Sequence, residues 1–450
     1  MVHNSQPGRH RGLGAFDGNS CRFYDGWLLE VSPLNQPLIP RRRGSSFAGI
    51  EFLSASRAAD LRAVYCFHWD AGLDAEYAEP NQRSATRVRS CTLFQSRVIP
   101  LPGGSKAVLS SSPDHPAAEI SADGAVCLSD PLLLGEWFLV AWSSEVGDGK
   151  TLSRRALGRD LVLWRSSEGL HCWLDLCIHR GAKLSLGSVT AGGDCLVCPY
   201  HAWHYAPSGQ CVKIPAHPGM TPPAKARAQV FHVRERHGAI WVCIGEPNGE
   251  PPEFAIASER SFRTITAGPY FFRALGPRVI ENVLDVAHLG YVHAGLLGDP
   301  GQLEVEDYEV ADGPRGPEAA QIRIWQPNPD GTGKGALVTY RYWLDGPMTV
   351  GLEKLGSGGR FAILAQVVPL DGERCEMRML MSMNYGHDVS EDDLRVFQDR
   401  VTEQDRVIVE SQRPELLPLD LQAELHLRSD RMAIAYRKWL RKIGLQYGAT

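Results

Sequence analysis

From about Ser129 onward, short runs of apolar, strand-favouring residues alternate with Gly, Ser and Asp clusters. Residues 137–142, 161–164 and 239–244 are nearly continuous apolar runs, and 171–176 alternates less cleanly but suits a strand. Several short strands with turn signals between them predict an antiparallel β domain over 131–247. The Pro/Gly-rich stretch 245–254 reads as a linker. Beyond it, 279–292 predicts a helix and 335–385 several strands, 361–368 among them. A long amphipathic helix is expected over 391–412, with Ser390 ahead of Glu391, Asp392 and Asp393 as its N-cap and Pro414 beyond its end. Residues 248–450 therefore read as an α+β domain, a sheet with packed helices. No internal repeat is evident.

Residues 1–130 have a different character. They hold one lysine, Lys106, against a dozen arginines, and Ser/Pro clusters recur. Periodicity is weak outside pieces such as 58–67. This stretch reads as a poorly ordered N-terminal extension or an over-long reading frame, with a small extra module as the alternative. No chemistry is assigned to it.

Composition narrows the class. The 450 residues allow two or three domains, and 43% hydrophobic with 22% charged residues is ordinary for a globular protein. The net charge of −5, from 47 basic and 52 acidic side chains, is too balanced for a nucleic-acid or membrane-surface protein. No apolar run reaches membrane-spanning length, and the polar N-terminus lacks a secretory core. Eleven cysteines scattered over this length do not form a disulfide scaffold. A reduced, cytoplasmic enzyme is expected.

Two constellations carry chemistry. Cys177-Ile178-His179-Arg180-Gly181 is followed, after the spacer 180–197, by Cys198-Pro199-Tyr200-His201-Ala202-Trp203. This C-x-H and C-x₂-H pair invites either zinc or a [2Fe–2S] centre with two His on one iron. The short C-x-H step is unusual for zinc. Two hairpin tips, each offering one Cys and one His, suit a binuclear cluster better. Cys172 and Cys195 lie nearby but outside the motif and read as buried thiols, and His204 reads as a surface or core histidine rather than a fifth ligand. Trp203 is placed to shield the cluster from water.

The second constellation is Asp285-Val286-Ala287-His288-Leu289-Gly290-Tyr291-Val292-His293. On a continuous helix Asp285 and His288 would be neighbours, whereas His293 would fall roughly 140° around from His288. Both imidazoles can converge only if the helix loosens, and Gly290 is placed to allow that. Two histidines and a carboxylate make the facial triad of a non-haem Fe(II) oxygenase. Asp405 is the candidate carboxylate. It lies within the stripe Leu394, Phe397, Val401, Ile408 and Val409 of the late helix, whereas Asp392 and Asp399 fall on roughly the opposite face. A carboxylate pointing into a core needs a partner, either a metal or an Arg or backbone donor.

Both motifs together resemble the Rieske non-haem iron oxygenase family, the ring-hydroxylating oxygenase α-subunit type, over residues 131–415. The character of 268–278 and the helix after it is nearest the vanillate demethylase-like monooxygenases. The resemblance implies an all-β Rieske [2Fe–2S] domain over 131–247, then an α+β mononuclear iron domain over 248–450 of helix-grip type. It implies that Cys177 and Cys198 hold one cluster iron and His179 and His201 the other. His288, His293 and Asp405 would hold Fe(II). Asp285 would act as the electron bridge between His201 of one chain and His288 of the next, which implies a homotrimer.

The implied activity is that of a terminal oxygenase in aromatic compound catabolism. O2 is the co-substrate, and electrons come from NAD(P)H through a separate reductase or ferredoxin. The expected reaction is hydroxylation or oxidative demethylation of a small aromatic or heterocyclic compound. A cis-dihydroxylating dioxygenase is the alternative within the class. A Rieske electron carrier without oxygenase chemistry, or a zinc-binding module, is the alternative outside it. Phe271, Phe272, Trp325, Trp343 and Met348 read equally as pocket wall or as core.

Overall fold

The computed structural model describes Arg22–Tyr24, Trp27–Leu29, Ala118–Ile120 and residues 126–450 apart from Ser357. By internal contacts the chain divides into two units, Met1–Val98 and Ile99–Thr450. Of the first, only an antiparallel hairpin between Arg22–Tyr24 and Trp27–Leu29 is described. The reading of 1–130 as an extension, and of 58–67 as a periodic piece, lies outside the described residues except for the hairpins and 126–130. Asp130 takes part in the folded second unit. It caps the short helix α1 (Pro131–Leu134) and accepts backbone N–H bonds from Gln446 and Tyr447 at 2.8 and 2.9 Å.

The strands expected before residue 247 form a six-stranded antiparallel sheet. Its order is Phe138–Trp142, Ala239–Cys243, Val230–Arg236, Gly169–Leu174, Arg159–Ser166 and Thr151–Ala156. A smaller four-stranded sheet, Cys211–Lys213, His204–Tyr205, Leu196–Val197 and Ser188–Val189, carries the second Cys/His loop, and the first lies between Gly169–Leu174 of the larger sheet and Ser188–Val189 of this one. The stretch 245–254 contains no helix or strand, yet it is packed: Phe254 is buried, and Trp137 Nε1 donates to Gly249 O at 2.6 Å.

The second half is a seven-stranded antiparallel sheet. It runs Arg263–Phe272, Cys375–Met383, Gly359–Pro369, Thr349–Gly356, Ala336–Leu344, Gly316–Gln326 and Val310–Gly313. Three helices accompany it: α2 (Gly276–Leu284), α3 (Glu391–Ser411) and α4 (Arg431–Ile443). Every residue of Cys375–Met383 is buried, because both faces of this strand are covered. Successive side chains point to opposite faces. Met377, Met379, Met381 and Met383 therefore share one wall, while Leu380 packs with Leu139, Trp241 and Phe254 of the first half. Gln366 ties the halves together: its Oε1 accepts from Leu139 N at 2.6 Å and its Nε2 donates to Trp137 O at 2.5 Å.

Two helices depart from expectation. The helix expected over 279–292 stops at Leu284, and Asp285 is extended at φ −78°, ψ 121°. Asp285 Oδ1 accepts from Ala287 N at 2.8 Å, a local turn that competes with helix continuation. A 3-10 turn, Ala287–Gly290, follows. Asp285 and His288 thus do not share a helical face. The break thus comes at Asp285, ahead of Gly290. The backbone of Gly298 packs closely on Gly290, since a Cβ on Gly298 would meet Gly290 Cα at 2.5 Å. Helix α3 starts as expected, with Ser390 Oγ accepting from Asp393 N at 3.1 Å. Its stripe is narrower than expected: Val401 and Val409 are buried, but Phe397 and Ile408 are exposed.

Candidate metal centres

The two Cys/His loops are built alike. In each, the N–H four residues after the cysteine donates back to the cysteine carbonyl, Gly181 to Cys177 at 2.9 Å and Ala202 to Cys198 at 3.1 Å. Each cysteine N–H bonds the carbonyl five residues on, Ala182 or Trp203. Both turns require positive φ at the fourth position, 69° at Gly181 and 52° at Ala202. This repeated geometry brings both thiols into the interior, 2% exposed, with the His179 and His201 rings 4.6 Å apart at the rim. His201 is exposed and His179 half-buried.

Burial and the neighbouring Cys177 thiol push the Cys198 thiol up, against the Tyr200 and His201 backbone N–H groups. Tyr205 O–H lies 3.1 Å from Cys177 Sγ. Trp203 stacks on His179 with ring centroids 4.4 Å apart. His179 Nδ1 is buried without a hydrogen-bond partner. A buried nitrogen without a partner, beside two buried free thiols, fits a cluster-binding donor set. His204 bonds Ala202 O instead, and Cys172 is buried. Cys195 is only half-buried.

Some distance along the chain, the break after α2 turns His288 and His293 toward one point, and α3 delivers Asp405 to it. His288 Nε2 and His293 Nε2 are 3.1 Å apart, and Asp405 Oδ1 lies 3.3 Å from the first and 3.0 Å from the second. Metal–ligand bonds of about 2.1 Å at right angles place donors about 3.0 Å apart, so the triangle matches one face of an octahedron. Asp405 Oδ1 has no hydrogen-bond partner, as a metal ligand would not. Among the described residues this is the one group of three such side chains whose ligand atoms converge.

The outer nitrogen of His293 is hydrogen-bonded, and that of His288 faces a carboxylate without a hydrogen bond. Gln404 Oε1 accepts from His293 Nδ1–H at 2.9 Å, leaving Nε2 free to bind. Asp285 Oδ2 stands 3.5 Å from His288 Nδ1. Burial acts to lower the His288 pKa, but Asp285 and Asp405 together hold it up at about 9. Both carboxyls stay below their usual range: burial acts against ionisation, and the histidines outweigh it. Gln404 had no sequence signal. It is one of several polar residues on a long polar helix, and only the position of His293 singles it out.

A cavity of about 400 Å³ opens beside the triad. Half of the chain's eight methionines, those on Cys375–Met383, line it together with Tyr340, Tyr342, Gln326 and Lys354. Phe271, Phe272, Trp325, Trp343 and Met348 do not line it. Phe272 and Met348 are core, and Phe271 is exposed.

Residues 136–228 match the family model of the Rieske [2Fe-2S] domain, and residues 272–446 match the vanillate O-demethylase oxygenase C-terminal domain. The chain is 30% identical over 302 residues to methylxanthine N1-demethylase NdmA of Pseudomonas putida, covering 65% of this chain and 82% of that one. The solved structure of NdmA superposes with a TM-score of 0.60 at 27% identity, over 70% of this chain and 91% of that one. Dicamba monooxygenase bound to dicamba gives 0.57 at 25% identity, over 69% and 97%. A further relative, oxidoreductase NdmD of P. putida, is 38% identical over 120 residues, 26% of this chain and 20% of that one. With its paired Cys/His loops, its His/His/Asp triangle and these relatives, the chain belongs to the Rieske non-haem iron oxygenases, the oxidoreductases that join a Rieske [2Fe–2S] domain to a mononuclear iron domain.

Proposed function

We propose that this oxygenase hydroxylates or oxidatively demethylates a small aromatic or heterocyclic compound, with residues 131–247 as the electron-entry domain and 248–450 as the catalytic domain. The observation that carries this is the apolar, methionine-walled cavity that includes His288, His293 and Asp405 in its lining. Cys177, Cys198, His179 and His201 would hold the cluster, and His288, His293 and Asp405 the iron. When bound, the cluster supplies single electrons and the iron supplies the site for O2 activation.

The side chains do the rest. Gln404 and Asp285 fix the tautomers and the ring orientation of the two histidines. The soft methionine wall excludes water and adapts to the substrate outline. Asp285, with its side chain 38% exposed, is accessible from outside the triad. It would connect His288 to His201 of a second copy, within a homotrimer. No helix among the described residues is long and apolar enough to cross a membrane. Electrons would come from NAD(P)H through a separate reductase.

For a methyl ether, the balance is one O2, two electrons and two protons in, with the alcohol, formaldehyde and water out. Anaerobically purified protein should contain about three irons per chain and show the Rieske EPR signal. With a surrogate reductase, formaldehyde should appear in proportion to O2 consumed. Oxidation of a methylated substrate without formaldehyde, giving a cis-diol instead, would contradict this reading. Two irons and no O2 uptake would leave an electron carrier. The trimer is tested by the mass of the protein in solution.

A further inference from the structure

The cavity carries a feature that an apolar methyl-bearing substrate does not explain. Lys354 is 8% exposed, and its Nζ donates to Pro329 O at 2.7 Å and to Gln326 Oε1 at 3.3 Å. Gln326, itself 1% exposed, donates through Nε2 to Tyr340 O–H at 2.8 Å. Nζ also stands 5.5 Å from the centroid of the Phe361 ring, whose face offsets part of the charge but offers no hydrogen-bond acceptor oxygen, so two donors remain. An ammonium has three N–H groups, of which two are used, and the Tyr340 hydroxyl accepts from Gln326 while its own proton stays available. Both unused donors belong to cavity-lining residues linked through one amide.

Charge is unbalanced in the same place. No carboxylate of the described residues stands within ion-pair distance of Lys354 Nζ. Burial pushes this ammonium down to about 8, against the field of Asp330, the acid that acts on it. Asp330 instead accepts from Thr332. A buried ammonium without a counter-charge is costly, and a neutral carbonyl would leave the imbalance in place. An anionic oxygen would remove it.

Position within the sheet completes the picture. Tyr340, Lys354, Phe361 and Met383 stand in one cross-strand row. Helix α3 runs alongside Arg263–Phe272, with Arg395 bonded to Thr266 O and Glu410 to Arg273 N. Asp405 is therefore level with the far end of that strand, whose partners are Met377 and Glu376. Lys354 and the triad lie toward opposite ends of the cavity, six strand residues or roughly 20 Å apart along the sheet before their side chains reach inward.

We infer that Lys354 and Tyr340 bind an anionic oxygen of the substrate, so that the compounds oxidised are extended aromatic acids, two fused rings or a ring with a carboxylate side arm, whose alkyl group points toward the triad. This rests on the proposed oxygenase reading for the direction of the substrate, though not for the binding itself.

The test is calorimetric titration of the metal-loaded protein with 6-methoxy-2-naphthoate and 3-(4-methoxyphenyl)propanoate, each against its neutral carboxamide. The acids are expected to bind at least tenfold more tightly than the amides. Lys354→Met should abolish that preference while the amides bind as before, and Lys354→Arg should keep it. Equal binding of acid and amide to the unaltered protein overturns the inference whatever the variants do, as does undiminished preference in Lys354→Met. Formaldehyde assays keep the two readings apart. Lys354-dependent acid binding without demethylation would refute the oxygenase reading alone. Demethylation of neutral substrates, with no preference for acids in binding, would refute the acid specificity alone.

Discussion

The two metal centres are assembled in opposite ways. The Cys/His loops are contiguous, repeat one backbone turn, and place their histidines at the rim, His201 exposed and His179 half-buried. The triad joins a broken helix to a carboxylate more than a hundred residues later, and its three side chains lie inside. In the first, local hydrogen bonds hold the donors, so the motif carries its own geometry. In the second, the donors converge only because α2 ends at Leu284 and α3 packs along the sheet. The loop site should therefore tolerate distant changes, whereas the triad should depend on its surroundings.

The largest effect should come from removing ligands one centre at a time. Asp405→Ala is expected to abolish turnover and lower the iron content from about three to two per chain, with the Rieske EPR signal intact. Cys177→Ala should do the reverse, losing the colour and the signal. If either substitution removed both centres, the independence of the two sites would be wrong.

Arg437 tests the dependence on surroundings. It forms a bidentate pair with Glu281 of α2 at 2.5 and 2.8 Å and also bonds Glu424, with Glu281 and Arg437 both buried. Arg437→Met removes the bidentate partner of Glu281 and leaves it only the longer 3.5 Å contact to Arg278 in the interior, a loss of about 3 kcal/mol. Thermal unfolding should show this, and iron should leave the triad before the cluster bleaches.

Asp285→Asn keeps the shape but removes the charge beside His288. About a 100-fold fall in reductase-coupled turnover is expected, equivalent to about 2.7 kcal/mol, with both metals retained. Unchanged turnover would refute the bridging role. Gln404→Leu removes the acceptor for His293 Nδ1–H. Chelator titration should find iron held about tenfold more weakly at the triad. The smallest effect belongs to the loop site. Tyr205→Phe deletes the O–H beside Cys177 Sγ, and one hydrogen bond of about 1 kcal/mol corresponds to a cluster potential lower by about 40 mV. Protein-film voltammetry would register it.

These contrasts also explain what could be read in advance. The C-x-H and C-x₂-H spacing stood in the sequence because each loop is a closed local unit. The alternation of strand runs with turn signals likewise made the order of β and α+β regions legible. Asp405 was reachable as a carboxylate inside an apolar stripe, although Ile408 of that stripe proved exposed. The helix expected through His293 was not legible, because a side chain to backbone bond at Asp285 overrides its periodicity. Phe271, Phe272, Trp325, Trp343 and Met348 stayed open between pocket wall and core, since hydrophobic bulk does not say which face of a strand meets a cavity, and none of them lines it.

By itself the sequence determined the candidate ligand types, their spacing and the class of each half, since short-range geometry and pattern specify these. Only the tertiary structure decided that His288, His293 and Asp405 meet within 3.3 Å. It alone placed Gln404 behind one of them and aligned four methionines with Lys354 in one cavity. Those relations join residues far apart in the chain, and the registers of a seven-stranded sheet and a packed helix set them.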